Sequence, residues 1–590
     1  MLAAPDYAVI GFYLCFMAAV GWFFRRFDED SSEYFRGGGR MPWWMVGASN
    51  YISSFSVWTF TGAVGLAYER GLVVFVIFWS TAVAFVFTAG WAAARYRQTR
   101  VVTIMEIVRH RLGRGNEQVF TWVKLPLGVI LAAIWLYSLA VFCAPAFGLG
   151  VRTTILLCGG VVLVMASLGG SWAVVAGGFV QSLVLLPVGL VIAVSAWLRV
   201  GGWSGLVAHL PTGYADPLAR SAPGFGAWWL TAMLLDKFFQ VNGVVDSGKY
   251  FYVRDGAEAR RTAILMLVLT AVGPALWFIP AFVARAQGID LRALFPQLAQ
   301  PAEGAYVAVA HEFLPAGLMG LMITAILSTT LSSMDVGLNS NAGILVRSVY
   351  VRLFRPAASE REQVLAGRLS TLGFGAIVIV TALLYSTWTD VSLFSLMLNF
   401  QAMLATPVAV PLFWSIWVRR SPDWAAWASV LLGFSLGIAV GCVAHFGDPS
   451  HPWVAWTGVH SYAVTTLVDV LACSALFLGS RLLPQRLSAP RQTEVKEFFA
   501  TVRRPVSPAE AGPLDAAGIR TTGRLCLLYA GFMALLVALP NGAAGRSKIF
   551  FCAIVVGTVG ALLLRFAVRH RSTAAGGAVM PSPHGSISPP

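Results

Sequence analysis

Residues 325–340, AILSTTLSSMDVGLNS, place five hydroxyl side chains between positions 328 and 333, followed by Asp335 and Asn339. The stretch lies inside an apolar run that begins near Leu314. Hydrocarbon supplies no hydrogen-bond partners, so hydroxyls at membrane depth must find them within the protein. The partner is either a backbone carbonyl one turn earlier in the helix or a small hard cation that binds several oxygens. The stretch alone leaves both interpretations open.

The composition around this stretch is that of a helical membrane protein. Of 590 residues, 57% are hydrophobic and 12% are charged, whereas soluble domains carry about 25% charged residues. The seven cysteines are scattered singly and the eight histidines show no HExxH spacing, so neither a disulfide framework nor a zinc-enzyme motif is indicated. The net charge of +15 is explained more simply by membrane topology than by nucleic-acid binding.

Apolar runs, each about 20 residues long, predict an all-α polytopic membrane protein with about 15 transmembrane helices. An N-terminus outside and a C-terminus in the cytoplasm put most of the 42 lysines and arginines in cytoplasmic connections, as the positive-inside rule requires. The first run ends in Arg25 and Arg26 without a small-residue cleavage site, so we expect a retained helix and not a signal peptide. The runs lie at 7–24, 43–66, 72–94, 119–148, 153–170, 173–198, 226–246, 262–284, 314–346, 366–386, 391–418, 423–445, 461–480, 525–540 and 549–568.

Ten of these runs form two equal sets, and an odd number of crossings per set inverts the second set relative to the first. Inverted repeats of this kind typify secondary transporters, and their first helices are often broken at the binding site. The first run of each set is interrupted by polar residues and glycines, near 47–56 and 240–248. A broken helix frees carbonyls and helix ends at mid-membrane, where ions and substrates bind.

The sequence therefore predicts a chain of transmembrane segments with one interfacial helix, a linker and a tail. Residues 101–114 predict the short interfacial amphipathic helix. The predicted divisions are an extra N-terminal helix at 1–30, two five-helix repeats at 41–200 and 201–420, two additional helices at 421–484, an exposed cytoplasmic linker at 485–522, two C-terminal helices at 523–570 and a disordered tail at 571–590.

Three motifs resemble those of the sodium:solute symporter family. Residues 33–44, EYFRGGGRMPWW, resemble the signature before its first core helix, and residues 329–339 resemble its eighth core helix. Gln401, in the tetrapeptide NFQA, resembles a glutamine at a helix break. The similarity spans about residues 5–480. It implies a LeuT-like inverted five-helix repeat as the core, Na⁺-coupled symport of a small organic solute by alternating access, and a bacterial inner membrane as the location.

The resemblance also implies a sodium site between the first and eighth core helices. Its ligands fall on the backbone carbonyls of Ile52, Phe55 and Ile326 and on the hydroxyls of Thr329 and Thr330. Five neutral oxygens suit a hard monovalent cation. Many family members have an aspartate three residues before a glutamine in the fifth core helix, where this chain has Gly178 before Gln181. Because some members use that aspartate near a second sodium site, we predict one Na⁺ per cycle.

The candidate substrate contacts differ from those of a sugar-transporting relative, in which only the residue at Gln401 is the same. Asp236 and Lys237 lie within a span, where charges are costly and usually functional. They either face the cavity and contact a zwitterionic or polyhydroxylated solute, or they pair structurally. Phe239 is either a gate or a packing residue. The candidate substrate-binding residues are Thr59, Phe78, Asp236, Phe239, Gln240 and Gln401.

Other functions are weighed against Na⁺ symport. An intramembrane enzyme needs a catalytic set at membrane depth, and the histidines lie mostly in loops and tails. A proton-coupled transporter and a non-transporting sensor or scaffold on the same fold are the remaining alternatives. The solute is left open among amino acids or other zwitterions, sugars and carboxylates, and so is the oligomeric state. The expected partners are the solute, Na⁺ and the lipid bilayer, with no nucleic acid.

Overall fold

The structure is a computed structural model of the chain, and it describes residues 4–24, 31–168, 171–220, 222–295, 298, 300–387, 393–483 and 487–575. Within these residues the regular structure is helical, with one isolated bridge that pairs Met41 with Val253. The tail predicted to be disordered lies outside the described residues from position 576 onward.

The helices of the first half include several long ones and one early pair that is separated by a break. They are α1 (Ala4–Phe24), α2 (Ser31–Arg36), α3 (Trp43–Ser53), α4 (Val64–Arg70), α5 (Val73–Phe87), α6 (Ala93–Gln98), α7 (Ile104–Leu112), α8 (Arg114–Phe147), α9 (Val151–Leu168), α10 (Ser171–Arg199) and α11 (Gly202–His209).

The second half has a similar alternation of long and interrupted helices. Its first part contains α12 (Ala227–Asn242), α13 (Gly256–Ala286), α14 (Leu291–Leu294), α15 (Ala305–Phe313), α16 (Leu318–Ile344), α17 (Glu360–Tyr385), α18 (Leu393–Phe400) and α19 (Thr406–Trp417). Its last part contains α20 (Trp424–Phe446), α21 (Pro452–Val459), α22 (Ser461–Gly479), α23 (Ala489–Arg503), α24 (Pro508–Ala511), α25 (Ala516–Leu535) and α26 (Ala543–Ala575).

Twelve helical stretches in the described part of the chain are long and apolar enough to cross a membrane, and the chain is a multi-pass membrane protein. Three of the predicted runs are not among them. The runs at 43–66 and 226–246 fall on the interrupted regions around α3 and α12, and the run at 153–170 falls on the shorter apolar stretch Val151–Val164. The total of about 15 crossings and the inverted repeat therefore stay predictions.

The helix that carries the hydroxyl-rich stretch, α16, lies at the centre of the molecule. It packs against α1, α3, α8, α10 and α17. Its N-terminus is capped by α1, since Asp6 Oδ1 accepts hydrogen bonds of 2.8 Å from the backbone N–H groups of both Gly317 and Gly320. A carboxylate at a helix N-terminus satisfies otherwise unpaired donors and is favoured by the helix dipole. The extra N-terminal helix thus anchors the outer end of the helix that carries the site.

A close approach between α3 and α13 depends on a missing side chain. A Cβ atom on Gly273 of α13 would lie 1.8 Å from the hydroxyl oxygen of Tyr51 on α3, so any larger residue would clash with this ring. Both residues lie near the broken part of α3, and Trp277 one turn along α13 is fully buried. Small residues at such contacts let helix backbones pack closely in membranes.

The amphipathic helix predicted at 101–114 is present as α7. Its Arg111 is fully buried, and its guanidinium donates hydrogen bonds to the carbonyls of Ser415 (2.9 Å) and Val418 (2.8 Å) and to the hydroxyl of Ser421 (2.6 Å). These acceptors are the unpaired carbonyls and the following turn at the end of α19. The helix therefore links the first half of the chain to the end of the second.

The segment predicted to be an exposed linker is partly folded and buried. Within it, α23 buries its apolar side chains Val495, Phe498, Phe499 and Val502 and packs against α6 and α7. Its mean polarity suggested an exposed segment, but four apolar residues at positions i, i+3, i+4 and i+7 form one helix face. The prediction of an exposed linker is wrong for this helix.

Candidate functional site

The first break in a membrane helix lies between α3 and the helical turns that lead into α4. The backbone leaves the helix after Ser53, residues 55 and 56 have no regular structure, and a π-helical turn spans Thr59–Ala63. The chain resumes as a helix at Val57, whose backbone N–H donates a 2.8 Å hydrogen bond to Thr330 Oγ1 of α16. A hydroxyl from the hydroxyl-rich stretch therefore satisfies an N–H group that the break leaves unpaired.

A second hydroxyl of α16 lies against the other side of the break. Ser333 Oγ lies 2.8 Å from three carbonyl oxygens, those of Ser53, Phe55 and Thr329. A serine hydroxyl has one hydrogen to donate, so it cannot satisfy all three acceptors at once. The result is a buried group of oxygen atoms with too few donors, which is the kind of environment that attracts a cation.

The five predicted sodium ligands all line this contact between the break and α16. Thr329 Oγ1 donates a 2.7 Å hydrogen bond to the Ile326 carbonyl, which joins two of the predicted ligands on α16. The carbonyl of Ile52 accepts a 3.0 Å hydrogen bond from the N–H of Phe55 in the turn that ends α3. Ile52, Ile326, Thr329 and Thr330 are fully buried, and Phe55 is 3% exposed.

Ser333 is a site residue that the sequence reasoning did not single out as a ligand. The signal was present, because it lies four residues after Thr329 and so on the same helix face. The described residues contain no group of three or more histidine, cysteine, aspartate or glutamate side chains that could hold a metal ion. Any ion at this place would therefore be held by neutral hydroxyl and carbonyl oxygens.

The second break follows α12 and needs a glycine. At Gly243 the backbone turns to an extended conformation, and a Cβ atom there would lie 2.8 Å from the Phe239 carbonyl oxygen. Asn242, the last residue of α12, is held from two sides by the first half of the chain. Its carbonyl accepts a hydrogen bond from the Tyr96 hydroxyl, and its Oδ1 accepts one of 2.7 Å from Thr88 Oγ1.

One turn before this break, the predicted Asp236 lies in a closed polar network. Its carboxylate is fully buried and lies 3.3 Å from the ammonium of Lys237. One carboxylate oxygen accepts hydrogen bonds from the Gln240 amide and from Thr406 Oγ1, the latter at 2.6 Å. The other accepts a 3.4 Å hydrogen bond from the hydroxyl of Tyr462. Ion pairing and several donors together make a buried carboxylate tolerable in the membrane.

The same network reaches the third interrupted helix. Lys237 Nζ donates a hydrogen bond to Gln401 Oε1, at the start of the π-helical turn Gln401–Ala405 between α18 and α19. The structure thus brings Asp236, Gln240 and Gln401 together. Thr406 and Tyr462 complete the network and were not predicted, and no sequence signal marks Tyr462, since it lies on α22 outside both predicted repeats.

The remaining predicted substrate residues are divided between the two places. Phe78 stacks on Phe55 with ring centroids 5.9 Å apart, which puts it beside the first break. Thr59 is buried in the π-helical turn of that break. Phe239 packs edge-on against Phe413 at 5.2 Å and also contacts Trp414. These contacts favour the packing interpretation of Phe239 over a gate.

Comparisons with known proteins place this geometry in a family context. A model of the sodium:solute symporter family matches residues 34–433. Sodium/glucose cotransporter 4 of Danio rerio is 26% identical over 499 residues, which cover 76% of this chain and 73% of the relative. Sodium/myo-inositol cotransporter 2 of Sus scrofa is 25% identical over 488 residues, covering 74% and 70%.

A solved structure shares the fold. A substrate-bound, outward-open Na⁺-coupled sialic acid symporter superimposes with a TM-score of 0.67 at 20% sequence identity, over 82% of this chain and 99% of that one. At this identity the likeness establishes the shared fold alone.

Proposed function

Because the chain belongs to the sodium:solute symporter family, we propose that it carries a small organic solute across the membrane with one Na⁺ per cycle. The family and the relatives are transporters and not enzymes. Na⁺-coupled secondary transport is the common property of the family, while the ion site, the stoichiometry and the solute are proposals for this chain.

The observation that carries the proposal is the contact between the broken α3 and the hydroxyls of α16. We assign the Na⁺ ligands to the carbonyls of Ile52, Phe55 and Ile326 and to the hydroxyls of Thr329 and Thr330. The carbonyls around Ser333 exceed the donors available to them, so an added cation would replace missing donors. This argument favours a cation over hydroxyls that only bond within their own helix.

The proposed mechanism follows from the two segments that such an ion would join. Na⁺ bound at the break ties the first half of the chain to α16 and stabilises one arrangement of the transporter, to which the solute then binds. A change of arrangement opens the site to the other side. Moving one charge through a potential of 100 mV contributes about 2.3 kcal/mol. Coupling must be reciprocal, so the solute tightens Na⁺ binding by the same factor as Na⁺ tightens solute binding.

We place the solute beside the network of Asp236, Lys237 and Gln401. This network offers a carboxylate, an ammonium and an amide within one buried region, and its present bonds are internal. A solute with hydroxyl groups, or with both an ammonium and a carboxylate, can exchange its own groups for these bonds one for one. The relatives named for glucose and myo-inositol are consistent with a polyhydroxylated solute.

A single Na⁺ per cycle rests on Gly178. This residue is buried on α10, where the resemblance would put a carboxylate for a second ion. Its nearest polar neighbour on the helix, Gln181, instead donates a 3.1 Å hydrogen bond to the hydroxyl of Tyr13 on α1. We further propose a cell inner membrane location with the N-terminus outside and the C-terminus in the cytoplasm, on the basis of the charge distribution.

The test is solute uptake into proteoliposomes that contain the purified chain, with an inward Na⁺ gradient or an equal choline gradient. Sugars, polyols, amino acids and small carboxylates are screened as radiolabelled pools. We expect Na⁺-dependent accumulation of one class, and its loss in the double variant Thr329→Ala with Thr330→Ala. Accumulation that follows a proton gradient and not Na⁺ would favour the proton-coupled alternative. Absence of both uptake and counterflow for every pool would favour a non-transporting sensor or scaffold.

A further inference from the structure

A polar cavity lies at the membrane face where α8 and α20 begin, away from the sites described above. Its volume is about 400 Å³, and its walls come from the turn before α8, the start of α20 and the linker helix α23. The charge distribution predicts that this face is cytoplasmic. The cavity thus joins the first half of the chain, a helix that follows the second half and the linker.

One wall is a nearly buried arginine with an unused donor. The side chain of Arg491 is 12% exposed and donates from Nε to Asp423 Oδ2 at 3.0 Å, and from Nη1 to Glu494 and to the His110 carbonyl. Its Nη2 is buried and has no hydrogen-bond partner among the described residues. A guanidinium uses its fork of donors to bind phosphate oxygens.

The opposite requirement is present in the same cavity. Asn116 is 4% exposed, and its amide nitrogen donates to the carbonyls of Leu112 (2.8 Å) and Asp423 (2.7 Å), which fixes the orientation of the amide. Its Oδ1 then has no partner within the described chain, and neither does Asp423 Oδ1. Two buried acceptors, one of them a carboxylate oxygen, require a donor with a positive charge.

The rim of the cavity faces both water and lipid. Arg114 is exposed at the N-terminus of α8, where Gly113 provides no side-chain cap for the first turn, and helix N-termini favour anions. Trp424 and Trp427 line the cavity and are 38% and 39% exposed. Tryptophan is enriched at the level of the lipid head groups, so these rings place the opening at the edge of the bilayer.

We propose that this cavity binds the head group of a phospholipid that carries both a phosphate and a primary ammonium group. The phosphate lies against Arg491 Nη2, Arg114 and the first turn of α8. The ammonium donates to Asp423 Oδ1 and Asn116 Oδ1, and the acyl chains leave past the two tryptophans. One lipid then satisfies the three unpaired buried atoms and bridges the parts of the chain that form the cavity.

The test uses the full chain, purified in a mild detergent, with phosphatidylethanolamine, phosphatidylcholine and phosphatidylglycerol of identical acyl chains. Native mass spectrometry gives the lipid concentration for half-saturation of the first bound molecule. We expect phosphatidylethanolamine to half-saturate at about a tenfold lower concentration than the other two, because only its ammonium donates charge-assisted hydrogen bonds to the two acceptors.

Two variants separate the parts of the head group. Asp423→Asn weakens phosphatidylethanolamine about tenfold and leaves phosphatidylglycerol no weaker, because it removes the charge that attracts the ammonium. Arg114→Gln, a change at an exposed side chain that does not endanger folding, weakens all three lipids about threefold. Arg292→Gln, which removes an exposed arginine on α14 beyond the far end of α13, is the matched control and changes none of them.

Equal binding of the three lipids, or a phosphatidylethanolamine preference that survives Asp423→Asn, would mean that only ordinary boundary lipid contacts this face. Preferential binding of phosphatidylglycerol would show a plain anion site and would equally overturn the assignment. If Asp423→Asn fails to fold, the lipid series on the native chain and on Arg114→Gln still decides.

Discussion

Replacing Thr330 by valine tests the proposed ion site with the smallest change of shape. Valine keeps the volume and branching of threonine and removes only the hydroxyl. In the structure that hydroxyl accepts the hydrogen bond from the Val57 N–H at 2.8 Å, and it is also one of the five proposed Na⁺ ligands. The substitution therefore has two separable consequences, one without the ion and one with it.

The structure sets the size of both effects. Thr330 and Val57 are fully buried, so no water can replace the lost acceptor. Leaving a buried N–H group unpaired costs about 1–3 kcal/mol of unfolding free energy in the absence of Na⁺. Loss of one oxygen ligand to a charged group costs about 1.5–3 kcal/mol of binding free energy, which raises the Na⁺ dissociation constant about 10- to 100-fold.

Thermal unfolding of the purified protein in Na⁺ measures both quantities without knowledge of the solute. Sodium chloride is exchanged for choline chloride at constant ionic strength. A bound ion stabilises the folded state by RT ln(1 + [Na⁺]/Kd), so a hundredfold rise in the dissociation constant removes about 2 kcal/mol of the stabilisation when Na⁺ is at 100 times the native constant.

Thr330→Ser is the matched control, because it keeps the oxygen and removes one methyl group worth about 1 kcal/mol. We expect the serine variant to retain the native Na⁺ dependence at a somewhat lower melting temperature. If the valine and serine variants show the same Na⁺ concentration for half-maximal stabilisation, Thr330 does not bind the ion and the site is misplaced.

Three further substitutions probe the other parts of the molecule. Ser333→Ala should lower the melting temperature in choline and recover most of the loss in saturating Na⁺, because the ion then satisfies the Phe55 carbonyl; equal losses in both salts would contradict this. Asp236→Asn should change the solute KM by about tenfold or more, or the solute choice, while Na⁺-dependent stabilisation persists; unchanged uptake kinetics would assign Asp236 a structural role only. Burial raises the pKa of Glu303, in the connection before α15, from 4.5 to about 7. The folded chain then holds this proton more tightly than the unfolded chain, so its contribution to stability is full below pH 4.5 and is lost as the pH rises to about 7. Glu303→Gln should flatten that part of the melting-temperature profile, and a profile identical to that of the native chain would contradict the assignment.

Sequence reasoning located the breaks correctly because a break has a local signal. Apolar periodicity, the polar residues after Gly47 and the glycine after Asn242 all lie within a few residues of the place where each helix ends. The same holds for α7, whose amphipathic pattern is complete within nine residues. The linker helix α23 was missed because four buried apolar residues among many charged ones lower the local hydrophobicity only slightly less than an exposed segment would.

The composition, the apolar runs and the family motifs by themselves determined that this is a helical membrane transporter with broken helices and a hydroxyl-rich α16. Only the tertiary structure decided which oxygens meet. The hydrogen bond from Val57 to Thr330 joins residues that are 273 positions apart, and that from Ser333 to Phe55 joins residues 278 apart. Helix periodicity states which residues share a face, but not which neighbouring helix covers that face. That choice depends on the packing of all the helices together, which is why Ser333, Thr406 and Tyr462 became visible only in the folded chain.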